Sequence, residues 1–183
     1  MSFNACQFDR RGGGTVSIKE QLNETLGHMT DKNQELAIFA NAAVFGISRY
    51  KNGVVDQKTR ELIQQGEELC VLLRRGAEIS SKHPELYSIP NSDLNSLLTI
   101  EFLSDFLDQN KETVPFSLDG LVQKASEEQT VLKTLLLPEF PTEEIKTKVD
   151  ECQDFFATLG SIFVRLANDG LRQREKSERI HYV

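Results

Sequence analysis

From Ser17 to Tyr50 the chain carries no proline, and its apolar residues climb one face at spacings of three and four: Leu22, Leu26, Met29, Leu36, Ala40, Ala43, Ile47 and Tyr50. Asn33 fills the one remaining rung of that ladder. A seam of this kind, about four heptads long, is the signature of a helix that packs along its whole length on another helix. It predicts a helix of roughly 34 residues, or about 50 Å at 1.5 Å per residue. Asn52-Gly53 supplies the stop. A helix that long leaves room for little except an elongated bundle or a coiled coil. Asn33 has two readings: a buried polar residue that fixes register at some cost in stability, or a solvent-facing residue at a kink.

The rest of the chain repeats the theme. A second helix is expected from an Asp56 N-cap to Lys82, ahead of His83-Pro84, with the seam Val55, Thr59, Leu62, Gly66, Leu69, Leu73 and Gly76. A helical glycine costs about 1 kcal/mol against alanine, so two on the apolar stripe predict close approach by a neighbouring helix. Asn91 or Ser92 is expected to cap a third helix, Asp93 to about Asp108, which is apolar on more than one face and therefore suits a bundle centre or a subunit interface. Ser117 caps a fourth, reaching Leu136, and Thr142 a fifth, with Glu143 and Glu144 in the first turn where the helix dipole favours negative charge. The fifth seam is Ile145, Val149, Cys152, Phe156, Leu159, Phe163 and Leu166, and its signal fades after Asn168-Asp169-Gly170. No segment alternates at strand spacing, and no fixed repeat links the helices. The expected fold is all-α, an elongated antiparallel bundle of about five helices with coiled-coil-like seams. Residues 1–14 read as a disordered arm, 15–171 as a single helical domain, and 172–183 as a polar, mildly basic tail.

At 183 residues the chain is large enough to bury a core without disulfides or metal. Its formal net charge of −7 argues against general binding to nucleic acid or to an anionic membrane. The charge is unevenly spread: residues 85–154 hold 15 acidic and 5 basic side chains, whereas 165–179 hold 5 basic and 3 acidic. No apolar run approaches the ~18–20 residues of a membrane span, and Met1 to Cys6 has no signal-peptide core. Three cysteines, far apart and odd in number, predict reduced thiols and a cytoplasmic setting.

Little in the sequence points to chemistry. His28, His83 and His181 are scattered, with no His-x-x-x-His and no Cys-x-x-Cys, so neither a metal nor a cofactor is expected. Arg10-Arg11-Gly12-Gly13-Gly14 lacks the preceding strand and following Gly-Lys-Ser/Thr of a phosphate-binding loop. Cys152 lies between Glu151 and Asp154, and negative neighbours raise a thiol's pKa when a nucleophile needs it lowered. Adjacent carboxylates such as Glu127-Glu128 diverge around a helix and cannot act as an acid/base pair. No catalytic residue is assigned.

Partner binding is the remaining class. The expectation is a non-catalytic interaction subunit, adaptor or scaffold, binding a protein partner or itself through helix–helix packing. The candidate interface residues are Leu22, Met29, Asn33 and Leu36 on the first helix, and Phe156, Leu159 and Phe163 on the fifth. The alternative is an acidic helical chaperone, effector or regulator that binds transiently. Pro84-Glu85-Leu86-Tyr87, followed by Ile89-Pro90 and a Leu/Phe-rich helix, is similar to the small all-helical shoulder subunit of dynactin, as is the aromatic last helix from Phe155 to Leu166. The similarity covers about half of the chain, with gaps, and does not extend to the arm and first helix. It implies one example of a helical assembly subunit.

Overall fold

A computed structural model describes residues 18–82, 89–114, 116–139 and 141–181, with the backbone alone for 18–29, 91–92 and 172–181. The arm over 1–14 and the connector His83 to Ser88, which includes Pro84 to Tyr87, lie outside the described residues. Among the described residues five helices follow one another: α1 (Ile18–Lys51), α2 (Gln57–Lys82), α3 (Asn91–Gln109), α4 (Leu118–Leu136) and α5 (Glu143–His181). Among the described residues there is no strand.

Helix ends explain the turns. At the α1 exit the Val54 N–H donates to the Arg49 carbonyl at 2.9 Å and the Gly53 N–H to the Tyr50 carbonyl at 3.0 Å. This paired closure needs a left-handed residue after the helix, and Gly53 supplies it with φ +83°. Asp56 then caps α2, its Oδ1 accepting from the Thr59 N–H at 2.9 Å. Arg49 fastens the corner, donating to Asp56 Oδ2 at 2.7 Å and to Thr59 Oγ1 at 3.0 Å. Ser117 and Thr142 cap α4 and α5, accepting from the Gly120 and Ile145 N–H groups. The expected cap of α3 is corrected: Pro90 precedes the helix with no side-chain cap, and its carbonyl accepts from Asp93 and Leu94. Pro90 keeps an extended backbone (φ −56°, ψ 144°) as the last residue before the helix, and Asn91 and Ser92 fall in the first turn. The last helix also runs further than its apolar signal, reaching His181 through Gly170. No proline interrupts that stretch, and Arg, Gln, Glu and Lys are good helix formers.

Side-chain pairings give the arrangement. Lys51 meets Asp150, the Val44 carbonyl accepts from Gln153, and Thr30 lies against Gly170, so α1 and α5 run antiparallel over about 20 residues of each. Gly46 lies against Leu62 and Ile63, and Ala43 against Gly66, so α2 is antiparallel to α1 on its other flank. α4 sits on α2 and α5, with Leu132 and Phe156 both reaching Gly66. α3 crosses from α2 to α5. At one end Asp93 pairs with Arg75 at 2.9 Å, and at the other Arg165 stacks over the Phe106 ring at 4.8 Å. Both glycines on the α2 stripe do what their position predicts. A methyl group on Gly66 would sit 2.5 Å from the Ala43 Cβ, and one on Gly76 would collide with the Ser96 carbonyl.

Candidate functional site

The candidate interface residues whose side chains are described, Asn33, Leu36, Phe156, Leu159 and Phe163, fall on the inside of the chain. Leu36, Phe156, Leu159 and Phe163 are fully buried or nearly so and belong to one continuous core with Ala40, Ala43, Ile47, Leu73, Leu103 and Leu132. The α1 seam therefore meets the α5 seam within the molecule. The all-round apolar character of α3 has the same explanation, since Leu94, Leu97, Leu98, Ile100, Leu103, Phe106 and Leu107 are all buried. Asn33 is 2% exposed, and its Oδ1 has no hydrogen-bond partner among the described residues. That places it on the buried branch of its two readings. Leu22 and Met29 are on the α1 backbone, but their side chains lie outside the described residues.

The potentially reactive groups are enclosed as well. Cys70 on α2 and Cys152 on α5 are buried free thiols. Burial, reinforced by the charges of Glu128 and Glu67, pushes the Cys70 thiol up to about 12. Burial, and then Glu128, pushes Cys152 up as well, and its Sγ donates to the Glu128 carbonyl at 3.9 Å. Both shifts run against thiolate formation. Glu128 is 3% exposed, pairs through Oε1 with Lys124 at 3.5 Å, and has an Oε2 without a partner. Burial raises its pKa above the usual carboxylate value. No three His, Cys, Asp or Glu side chains among the described residues are placed to hold a metal ion.

The surface clefts among the described residues include the following two. One of about 620 Å³ lies between α2 and α3, lined by Gln64, Glu67, Glu68, Val71, Leu72, Arg75 and Ser96. Two of its charged residues already have partners: Arg75 on Asp93, and Glu67 within 3.9 Å of Lys133. The other, about 310 Å³, lies under the α3–α4 turn around Leu107, Val114, Phe116 and Leu118.

The outer face of α1 is different. Ile38 is 63% exposed and Phe45 66%, one heptad apart. They belong to Leu36–Ser48, a run of 13 residues without a charged side chain. Asn41 lies between them and abuts Gly160 of α5. Ala157 and Val164, three residues before and four after Gly160, are exposed on that same side of α5. An uncharged strip thus runs along the α1–α5 edge. Reading one seam per helix missed it. The signal was the apolar content all round residues 36–48, the same feature that marks α3. Compared with known proteins, the chain matches no family model, no curated protein and no solved structure.

Proposed function

We propose that the chain is a non-catalytic helical interaction subunit, adaptor or scaffold of a larger cytoplasmic assembly, and that it engages its partner through the outer face of α1. The observation that carries this reading is the exposure of Ile38 and Phe45 one heptad apart on an uncharged stretch of a long, well-packed helix. Burying each of these side chains against a partner is worth about 1.5–3 kcal/mol, which makes the pair a natural anchor. The inner seam is committed to the core, so the partner surface shifts from Leu36, Phe156, Leu159 and Phe163 to the opposite side of the same helix. The raised pKa values of Cys70 and Cys152 favour a structural role for both thiols, and their free state suits a reducing compartment. No described helix is long and apolar enough to cross a membrane.

The test is the native size of the chain in extracts of its own cells. The wild-type chain is expected to elute well above its 20.7 kDa. Ile38→Asp/Phe45→Asp, at equal abundance, is expected to elute near its own mass. A wild-type chain that elutes at its own mass, or a double variant that stays in the large fraction, overturns the reading.

A further inference from the structure

The uncharged strip is two helices wide. On α1, Ile38, Asn41 and Phe45 are exposed at spacings of three and four. On α5, Ala157, Ser161, Val164, Asn168 and Leu171 are exposed at spacings of four, three, four and three. Gly160 against Asn41 holds the two ridges side by side, and none of these eight side chains is charged. Toward the start of α1 the edge becomes charged, at Asp31, Lys32 and Glu35. Lys32 pairs with Glu35, whereas Asp31 is exposed and has no ion pair among the described residues.

We infer that residues 1–11 of this chain, which lie outside the described residues, fold back over the strip, with Phe8 against Ile38 and Val164 and Phe3 against Phe45, so that a partner has to displace them. The inference rests on the reading of α1's outer face as a contact surface and adds its regulation. Sequence order matches the arm to the strip. Met1 to Phe8 carries no charged side chain and holds Met1, Phe3 and Phe8, and Asp9-Arg10-Arg11 follows. Followed backwards from α1, the charged run comes first and meets the charged turn at Asp31. The apolar run comes second and meets the uncharged strip. Lengths agree as well. Arg11, Phe8 and Phe3 precede Ile18 by seven, ten and fifteen residues, which span at most about 25, 36 and 54 Å. Along α1, Asp31, Ile38 and Phe45 lie about 20, 30 and 40 Å from Ile18. Gly12-Gly13-Gly14 lets the chain reverse, since glycine takes either sign of φ without steric cost. Tethering decides the occupant. A segment joined to its site by a short linker meets it at an effective concentration on the order of millimolar, which a second copy or a free partner has to exceed. The covered strip is therefore the resting state, and a partner competes with the arm for it.

Cys6 lies between Phe3 and Phe8, which sets it over Asn41 and Ser161 and makes it the probe. A disulfide needs Cα atoms within about 7 Å, and the thiols of Cys70 and Cys152 are buried. The purified chain carrying Ser161→Cys, dilute and under oxidised glutathione, is expected to link Cys6 to the introduced thiol within one molecule. Glu68→Cys is the control. It is exposed on α2, and Gly66 against Ala43 puts it at the height of Asn41, within the same reach but off the strip. Its link is expected to form at least tenfold more slowly. Phe3→Asp/Phe8→Asp is expected to slow the Ser161→Cys link at least tenfold with an unchanged helical spectrum. No link at Ser161→Cys, equal rates at the two positions, a rate indifferent to Phe3→Asp/Phe8→Asp, or a link that joins two molecules (the arm of a second copy) overturns the proposal. In cell extracts Phe3→Asp/Phe8→Asp is expected to keep the large species. Its loss would make the arm part of the partner contact and overturn the competition. Ile38→Asp/Phe45→Asp that keeps its native size in extracts overturns the contact-surface reading, whereas the Cys6 link on the purified chain reads the arm by itself.

Discussion

At the scale of single residues, the core spends stability on polar groups. Glu128 is buried with one carboxylate oxygen unpartnered, and burial raises its pKa. The sign of its pH dependence follows. The folded state holds the proton more tightly than the unfolded chain, whose carboxyl titrates near ~4.3. Stability therefore falls as pH rises from there through the raised folded value. Glu128→Gln removes that penalty and is expected to stabilise the protein at pH 7 by about 1 kcal/mol, or roughly 2–4 °C in Tm, with no gain at pH 4. Asp56 behaves oppositely. The Thr59 N–H, then Arg49, hold its carboxyl down at about 2, so its contribution is intact above the unfolded value near ~3.9 and is lost as pH falls through about 2. In acid denaturation followed by circular dichroism, Asp56→Asn is expected to flatten that segment of the curve. Asp56 was legible as a cap. Glu128 was not, because Glu127 and Glu128 are indistinguishable until α5 is known to cover one of them.

At the scale of elements, the local grammar was readable and tertiary choices were not. Ser117, Thr142 and Asp56 do as caps what their types predict, and Asn52-Gly53 ends α1 where expected. Pro90 takes the cap position expected for Asn91 or Ser92, and its carbonyl accepts the first helical hydrogen bonds of α3. α5 outran its apolar seam because seam residues mark burial, while helix continuation needs only propensity. The glycines on the α2 stripe were read correctly as places of close approach, and Gly76 is the stricter of the two. A side chain there meets backbone, the Ser96 carbonyl, which cannot rotate away. Gly76→Ala is expected to destabilise by about 1–3 kcal/mol in urea unfolding, even though alanine is the better helix former by about 1 kcal/mol. A stabilised variant would mean α3 does not cross α2 at that point.

At the scale of the whole molecule, heptads announce that helices pair but not which ones. The α1 and α5 seams fit each other in one chain as well as they would fit a second molecule, and only the antiparallel register of Lys51 with Asp150 and Thr30 with Gly170 decides between them. With the inner seam closed, the core-forming face of α1 and the proposed contact face lie on opposite sides of the helix. Phe156→Ala is expected to cost about 3–5 kcal/mol of stability, whereas Phe45→Asp, on the surface, is expected to stay within about 0.5 kcal/mol of wild type. The direct test is helix content by circular dichroism as the purified chain is diluted through and below the concentration at which any oligomer dissociates. Inner seams closed within the chain predict a mean residue ellipticity constant to the lowest concentration, for wild type and Phe45→Asp alike. A loss of helicity on dilution would contradict it and place the α1–α5 pairing between molecules.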